Sequence, residues 1–432
     1  MKHSYLLPLF ALFAMACTTH DMEPEFPVDV ISNQSQNVSD NQIISERYLS
    51  AEEAGDIASA FMALLDNNGE KSRGEVARTI SDVSLLKTHH ISRTSAVDTT
   101  FYLVNFEDGG FSLIAADREI DNKIYVYSPT GDFDAEENPG VKIYLENAIA
   151  TMADAPRCSE AIYQQTNISR APSDPGPPLV TGGEEIVNGV LYKYYPKGVH
   201  DIKGPLLKTH WEQGRPYNSQ CPIYGNDTTK VGCVAIAMGQ ICSYHKWPQN
   251  MSGHTYDWND MLKKSSHSYV LDVGLYDIAH LLHNIGILVN MEYGSEGSGA
   301  SYFDAEIGFK KMGYNSAELA SFSLSKCIFS LNYEGPVYLR GTGYGGGHAW
   351  VVDGYDNYST AYDYFNAETG EYAFTRNNSV KYTYLHFNLG WGGKSDAYYL
   401  CDGTNNGESG LYKNFSTFEF NSNNIIISGI KR

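Results

Sequence analysis

The sequence predicts an α+β protein with two domains, and three observations lead to this prediction. The chain has 432 residues, which is long enough for two or three domains that each bury a core. Hydrophobic residues make up 42% and aromatic residues 13% of the sequence, which excludes global disorder. Segments with helical spacing alternate with runs of β-forming residues, and a stretch rich in proline and glycine separates the two halves.

The first residues predict export. A basic start is followed by an apolar run at 5–16, which is typical of a secretory signal and too short to span a membrane. The sequence Ala-Met-Ala-Cys at 14–17 resembles a bacterial lipobox, so we expect a signal peptide over 1–17 and acylation of Cys17. We therefore expect an outer-membrane or cell-surface lipoprotein that maturation can release. Cleavage near Ala16 without lipid is the alternative. Residues 18–44 are polar without apolar periodicity and predict a tether.

Residues 45–156 predict a small α+β domain. The sequence at 50–53 is a capping box, and apolar residues at helical spacing follow it. Two β-rich runs, at 101–106 and 111–115, flank a Glu-Asp-Gly-Gly turn. A third strand is expected at 123–127 and a second helix at 141–152. This domain contains no combination of catalytic residue types.

Residues 157–203 predict a linker and maturation region. Prolines and glycines at 171–183 favour extended, solvated backbone over a packed core. Exposed linkers are preferred sites of proteolysis, and four basic residues offer cut points: Arg157, Arg170, Lys193 and Lys203. Residues 204–432, the predicted catalytic domain, contain every strong chemical motif of the chain.

Charge and cysteine usage limit the partners. The chain has 31 Lys and Arg against 51 Asp and Glu, a formal charge of -20, which repels phosphate backbones and argues against nucleic acid. Six of the seven cysteines remain once Cys17 is assigned to lipid. Their spacing shows no clustered pattern, so we expect them to be mostly free thiols.

Cys233 is the candidate nucleophile. It follows a loop rich in Gly, Asn and Asp and starts an apolar helical segment, so it falls in the first helical turn, where unpaired N–H groups and the macrodipole favour a thiolate. Gly232 removes a side chain where a substrate would approach. The alternative is that Cys233 is a buried small hydrophobe. Cys242 lies about 180° around the same helix, so the two thiols need different environments.

His348 is the candidate general base. Three glycines precede it and a buried strand follows, which makes the imidazole rigidly held yet reachable. Further on, Asn388 and Trp391 stand at the end of another strand that leads into glycines. The order of Cys, His and then an amide with a tryptophan is that of papain-like proteases, in which the imidazole takes the thiol proton and the amide orients the ring.

Three segments resemble the streptopain family, the C10-type papain-like bacterial cysteine proteases: residues 232–235 with the helix end at 244–248, residues 346–349, and residues 388–396. The resemblance extends from about 205 to the C-terminus, and residues 45–156 are similar to the family's inhibitory prodomain. It implies a helix carrying the nucleophile packed on an antiparallel sheet. By position it implies Cys233 as nucleophile, His348 as proton acceptor and Trp391 as an aromatic wall of the cleft.

The chain departs from the family at Leu389, where the family has a tryptophan that helps to position the imidazole. Asn388 can orient the ring only if the strand twists, because neighbouring residues of a strand face opposite sides. Otherwise Asn388 is a hydrogen-bonding residue at the strand end. Gln213, upstream of the nucleophile, is a candidate oxyanion donor without an assigned position.

The prediction is a secreted cysteine endopeptidase made as a zymogen, which cleaves proteins through a thioacyl-enzyme without metal or organic cofactor. Expected partners are protein or peptide substrates, the prodomain as inhibitor, and the membrane through the lipid alone. His89, His90 and an exposed His254 lack ligands at metal-binding spacing, and the glycines at 343–347 lack the lysine and hydroxyl of a phosphate-binding loop. The alternatives are an inactive surface lipoprotein that binds host proteins, or a Cys-His amidase acting on cell-wall peptides.

Overall fold

The computed structural model of the chain describes residues 29–31, 48–66, 78–87, 101–118, 120, 123–154, 183–263, 273–294, 297–343, 346–405 and 424–432. Several predictions fall outside these residues: the signal peptide with Cys17, the histidines at 89 and 90, Cys158, and the cut points Arg157 and Arg170. Over the described ranges, no helix combines the length and apolar character needed to cross a membrane.

The described helices are α1 (Ala51–Asp66), α2 (Pro139–Asp154), α3 (Cys233–His245), α4 (Trp258–Met261), α5 (Val273–Leu288), α6 (Tyr302–Lys311) and α7 (Leu324–Tyr333). The described strands are β1 (Asp29–Ile31), β2 (Ile80–Lys87), β3 (Phe101–Phe106), β4 (Phe111–Ala115), β5 (Ile124–Ser128), β6 (Gly183–Val187), β7 (Val190–Lys203), β8 (Ile223–Tyr224), β9 (Asp227–Thr228), β10 (Asn250–Met251), β11 (His254–Thr255), β12 (Glu318–Ser321), β13 (Val337–Gly343), β14 (Gly346–Asn366), β15 (Tyr372–Asn388), β16 (Ala397–Asn405) and β17 (Ile425–Ser428).

The N-terminal domain contains the predicted elements. At the start of α1, the Ser50 N–H donates to Glu53 Oε2 at 2.7 Å and the Glu53 N–H donates to Ser50 Oγ at 3.2 Å, which is the reciprocal bonding of a capping box. Strands β3 and β4 form the predicted hairpin. The segment predicted as a solvated tether differs from expectation at Asp29–Ile31, which pairs with β2. Two of these three residues are β-branched, which favours a strand.

One antiparallel sheet runs through both halves of the chain. Its strand order is β1-β2-β3-β4-β5-β16-β15-β14-β13-β17-β12, and β7 pairs with both β14 and β6. The junction between the halves is the pairing of β5 with β16, where Tyr127 lies opposite Tyr398. The N-terminal domain therefore extends the sheet of the C-terminal half rather than standing apart from it.

The end of the predicted linker is structured. Residues 183–203 form the β6–β7 hairpin, and β7 pairs with β14 over twelve consecutive residue positions. The physical reason is aromatic packing along the ladder, because the rings of Tyr192 and Phe374 lie 5.4 Å apart and those of Tyr194 and Tyr364 also 5.4 Å apart. Lys193 and Lys203 thus belong to a paired strand, which disfavours them as cut points.

Two hydrophobic clusters lie on opposite faces of β14. Trp350 and Val352 belong to a cluster that includes side chains of α1 and α2, whereas Ala349 and Val351 belong to one that includes side chains of α3, α5 and α6. Successive residues of a strand point to opposite faces, so this strand separates the N-terminal helices from the helix that begins at Cys233.

Candidate active site

Cys233 is the first residue of α3, as predicted. Gly232 precedes it with φ of 91°, a conformation that side chains rarely adopt. A Cβ at Gly232 would lie 2.7 Å from Met291 Sδ and 3.0 Å from the Ser298 carbonyl oxygen, so crowding within the protein requires glycine here. No side chain caps this helix start. The helix dipole at this N-terminus favours a thiolate at Cys233, which is 5% exposed.

The second thiol of the helix has a different environment. Cys242 is fully buried with its Sγ 3.9 Å from Met312 Sδ, and burial raises the pKa of its thiol to about 12. A thiol with that pKa stays protonated at neutral pH. The two thiols differ in their position along the helix, but both side chains belong to the same buried apolar cluster, so the prediction that one faces a cleft and the other the core stays a prediction. Among the described residues, none of the five cysteines is in a disulfide bond, namely Cys221, Cys233, Cys242, Cys327 and Cys401.

His348 lies near the start of β14, opposite Gly341 of β13, and is 3% exposed. Its Nε2 lies 3.1 Å from the backbone carbonyl oxygen of Leu389. A carbonyl only accepts hydrogen bonds, so Nε2 carries the proton and, in the neutral ring, Nδ1 is the basic nitrogen. The ring of Trp391 meets the imidazole edge-on, with centroids 6.1 Å apart. The imidazole is thus oriented by a backbone group and flanked by the predicted tryptophan.

Asn388 forms a hydrogen bond to the peptide unit whose carbonyl contacts His348. Its Oδ1 accepts from Gln240 Nε2 at 2.7 Å and from the Gly390 N–H at 3.2 Å, and its Nδ2 donates to the Thr209 carbonyl at 2.8 Å. The Gly390 N–H and the Leu389 carbonyl belong to one peptide unit. Asn388 therefore connects α3, which carries Gln240, to the peptide that holds the imidazole, and this bonding matches the strand-end alternative of the sequence analysis.

The role of the Leu389 carbonyl is a feature that sequence reasoning missed. The Leu389 side chain is completely buried, and its N–H donates to Asp396 Oδ1 at 2.9 Å. Gly390 follows with φ of 68°, and a Cβ there would lie 2.8 Å from Ile236 Cγ2 of α3. This close approach brings the peptide chain after β15 onto the first turn of the helix that begins at Cys233. The group that contacts His348 is a backbone carbonyl, so the identity of the side chain at position 389 could not predict it.

The N-terminal domain packs directly on this site. A Cβ at Gly140, in the first turn of α2, would lie 3.3 Å from His348 Cδ2 and 2.7 Å from Leu389 Cδ2. Only the bare backbone of glycine fits so close to the imidazole. Ser395 adds two contacts, since its N–H donates to the Asp132 carbonyl at 2.9 Å and its Oγ accepts from the Asp134 N–H at 2.7 Å.

A second contact between the halves is polar and buried. The hydroxyl of Tyr127 donates to Asp356 Oδ2 at 2.6 Å, and the same oxygen lies 2.7 Å from His200 Nδ1. Asp356 is completely buried, and the ring of Tyr127 stacks on Tyr398 at 5.0 Å. This cluster joins β5, β7, β14 and β16.

Comparisons with known proteins identify the family to which the two halves of the chain are similar. The model of the peptidase C10 family matches residues 211–399, and the Spi protease inhibitor model matches residues 46–152. Streptopain of Streptococcus pyogenes is 26% identical over 399 residues, which cover 82% of this chain and 86% of streptopain. Residues 211–399 of the chain belong to the peptidase C10 family. The chain is therefore a cysteine-type peptidase with an inhibitor-like domain ahead of its catalytic half, which is the organisation of a zymogen.

Two further relatives support the family's fold and chemistry. The thiol protease/hemagglutinin PrtT of Porphyromonas gingivalis is 25% identical over 348 residues, which cover 72% of this chain and 35% of PrtT. The solved structure of a prointerpain A fragment from Prevotella intermedia has a TM-score of 0.50 at 21% identity and covers 81% of this chain and 99% of the fragment. The structural likeness confirms the predicted α+β fold, in which the helix that begins at Cys233 packs on an antiparallel sheet.

The remaining candidates have structural contacts in this C10 peptidase. The Gln213 carbonyl accepts a hydrogen bond from the Val231 N–H at 3.1 Å, which holds the loop that precedes Cys233. The interpretation of His254 as exposed is wrong, because its side chain is 31% exposed and its Nε2 lies 2.7 Å from Asp277 Oδ1. His245 ends α3, and burial lowers its pKa to about 4.

Proposed function

We propose that this C10 peptidase is an exported endopeptidase in which Cys233 is the nucleophile and His348 its general base. The observation that carries the proposal is the hydrogen bond from His348 Nε2 to the Leu389 carbonyl, on a chain segment packed against the Cys233 helix. It fixes the tautomer with a basic Nδ1, as a proton acceptor requires.

The reaction follows from these roles. His348 Nδ1 takes the thiol proton, and the Cys233 thiolate attacks the carbonyl carbon of the scissile peptide bond. The imidazolium returns its proton to the departing amine as the C–N bond breaks, which leaves a thioacyl-enzyme. Water then attacks this thioester with His348 as base, and the acid product and the free thiol are released.

We infer that the N-terminal domain, about residues 45–156, keeps the enzyme latent by occupying the site. Support comes from the backbone of Gly140 against His348 and Leu389, and from the bonds of Asp132 and Asp134 to Ser395. A substrate chain that enters the site from this side meets α2. Latency then ends when this domain leaves.

The proposal includes export and a lipid on Cys17, followed by a tether, with display at the outer membrane or cell surface. It is based on the signal and lipobox patterns of the sequence. Radiolabelled palmitate should be incorporated into the wild-type protein and not into Cys17→Ser. Incorporation equal in both would contradict the anchor while leaving the peptidase assignment in place.

The test of the catalytic pair compares matched thiols. Cys233→Ala should abolish casein cleavage by the cut enzyme, whereas Cys242→Ala should keep most of it, because the Cys242 thiol is buried and protonated. His348→Ala should also lose the fast alkylation of Cys233 at neutral pH, since the imidazole stabilises the thiolate. Equal losses in both folded cysteine variants, or unchanged alkylation in His348→Ala, would refute the assignment.

A further inference from the structure

The loop at 389–396, between β15 and β16, holds the imidazole through the backbone of its first residue. The carbonyl of Leu389 accepts from His348 Nε2 at 3.1 Å, and the N–H of the same residue donates to Asp396 Oδ1 at 2.9 Å. Asp396 is the last residue of the loop, so its carboxylate closes the loop onto its own beginning. The position of the Leu389 carbonyl therefore depends on the bond to Asp396.

Asp396 is itself held from outside the loop. Its Oδ2 lies 3.0 Å from Nδ1 of His210, whose side chain is 45% exposed while that of Asp396 is 7% exposed. The hydrogen bond to Asp396 raises the pKa of His210. The ring of His210 also packs on the loop, since a Cβ at Gly393 would lie 3.2 Å from His210 Nδ1. A buried carboxylate with both oxygens engaged in this way is a rigid support.

We propose that Asp396 is a positioning residue for His348, which holds the Leu389 backbone in place for the imidazole and favours the imidazolium by its negative charge. The inference rests on the proposed roles of Cys233 and His348. It explains how the imidazole is oriented where the family's tryptophan is replaced by Leu389. The support is a backbone carbonyl held by a carboxylate, and neither depends on the side chain at 389.

Other charged groups near the loop also influence the pH dependence of the enzyme. Glu212 lies on one side, with its Oε2 3.4 Å from the position of a Cβ at Gly392. Lys394 lies 3.9 Å from Asp134 of the N-terminal domain. Asp353 acts on His210 at longer range and raises its pKa. The comparison of variants at position 396 keeps all of these groups constant.

The test uses the full-length chain cut by added trypsin and compares Asp396→Ala, Asp396→Asn and His210→Gln. Asp396→Ala should lower kcat on a peptide substrate by about 10- to 100-fold, the scale of one hydrogen bond to a charged group, with KM little changed. Alkylation of Cys233 by iodoacetamide at neutral pH should be slower in this variant, because a smaller fraction of the pair is present as thiolate and imidazolium. Asp396→Asn keeps an oxygen for the Leu389 N–H, so it should recover most of kcat while its alkylation rate at neutral pH stays below that of the wild type.

Several results would overturn the proposal. One is a folded Asp396→Ala enzyme with wild-type kcat and alkylation; another is a loss of kcat that Asp396→Asn does not recover. If Asp396→Ala does not fold, Asp396→Asn is compared with the wild type instead. A wild-type alkylation rate at neutral pH in Asp396→Asn would overturn the role of the charge. His210→Gln leaves the bond between the Leu389 N–H and Asp396 intact, so it should lower kcat less than Asp396→Ala does. A greater loss of kcat in His210→Gln than in Asp396→Ala would contradict the inference that Asp396 contacts the Leu389 backbone directly and His210 acts through Asp396. Cys233→Ala, measured in parallel, tests the catalytic pair separately, because retained proteolysis there refutes the proposed function itself.

Discussion

Removal of one hydroxyl between the two halves should make the uncut chain active. Tyr127→Phe keeps the ring that stacks on Tyr398 but removes the donor to Asp356 Oδ2, a bond of 2.6 Å to a completely buried carboxylate. A hydrogen bond to a charged group contributes about 1.5–3 kcal/mol. His200 and Asp356 lie on the paired strands β7 and β14, so we expect the His200 contact to the same oxygen to remain when the N-terminal domain detaches.

The expected effect on latency follows from this free energy. If the uncut chain has activity only while the N-terminal domain is detached, a cost of 1.5–3 kcal/mol to the closed form raises the open fraction by about 10- to 100-fold, given about 1.4 kcal/mol per factor of ten. The assay is the initial rate on a fluorogenic peptide with a full-length chain whose linker is shown to be intact by gel electrophoresis.

Tyr102→Phe is the matched control. Its hydroxyl donates to the Leu49 carbonyl at 2.8 Å, and both residues lie inside the N-terminal domain. This variant removes a comparable hydroxyl bond without touching the catalytic half, so its uncut activity should change much less. An uncut Tyr127→Phe chain with wild-type latency, or equal activation by Tyr102→Phe, would refute the reasoning.

Three further predictions concern maturation, the site and pH. Brief trypsin treatment should cut after Arg157 or Arg170 rather than after Lys193 or Lys203, because the two lysines lie in the paired strand β7. N-terminal sequencing identifies the cut, and early cuts within β7 would contradict this prediction. Leu389→Trp overpacks the contact with Gly140 at a cost of about 1–3 kcal/mol, so it should raise uncut activity more than it changes turnover of the cut enzyme. Burial lowers the pKa of His245 to about 4. Between about pH 6.5 and 4, the His245 side chain is therefore protonated in the unfolded chain and neutral in the folded chain. Stability should therefore fall as pH drops through this window, and His245→Gln should weaken the dependence in urea unfolding at pH 7 and pH 4.5.

Local sequence patterns were sufficient for the elements that carry the catalytic candidates. Gly232 before an apolar helix and the glycines before His348 constrain the backbone within a few residues, so the sequence predicted where the thiol and the imidazole lie in their elements. The capping box at Ser50 is another local device, and its bonds are those predicted.

Long-range and backbone features were not predictable in the same way. Tyr127 and Asp356 are 229 residues apart, and nothing in either segment marks the other as its partner. The orienting group of His348 is a carbonyl, which every residue possesses, so inspection of side chains at 388 and 389 could not identify it. The β7 strand was assigned to the linker because its pairing with β14 depends on aromatic residues more than 160 positions away.

The continuous sheet also limits how the enzyme can be activated. Strand β5 pairs with β16, and the apolar cluster of the N-terminal helices includes Trp350, two residues beyond His348. A cut in the linker breaks none of these contacts, so it removes only the high effective concentration that the covalent connection provides. If the N-terminal domain blocks the site as proposed, it must then dissociate or be degraded before substrate reaches His348. We therefore expect buried contacts of the interface, such as the bond from the Tyr127 hydroxyl to Asp356, to limit the rate of activation after the cut as well as the activity before it.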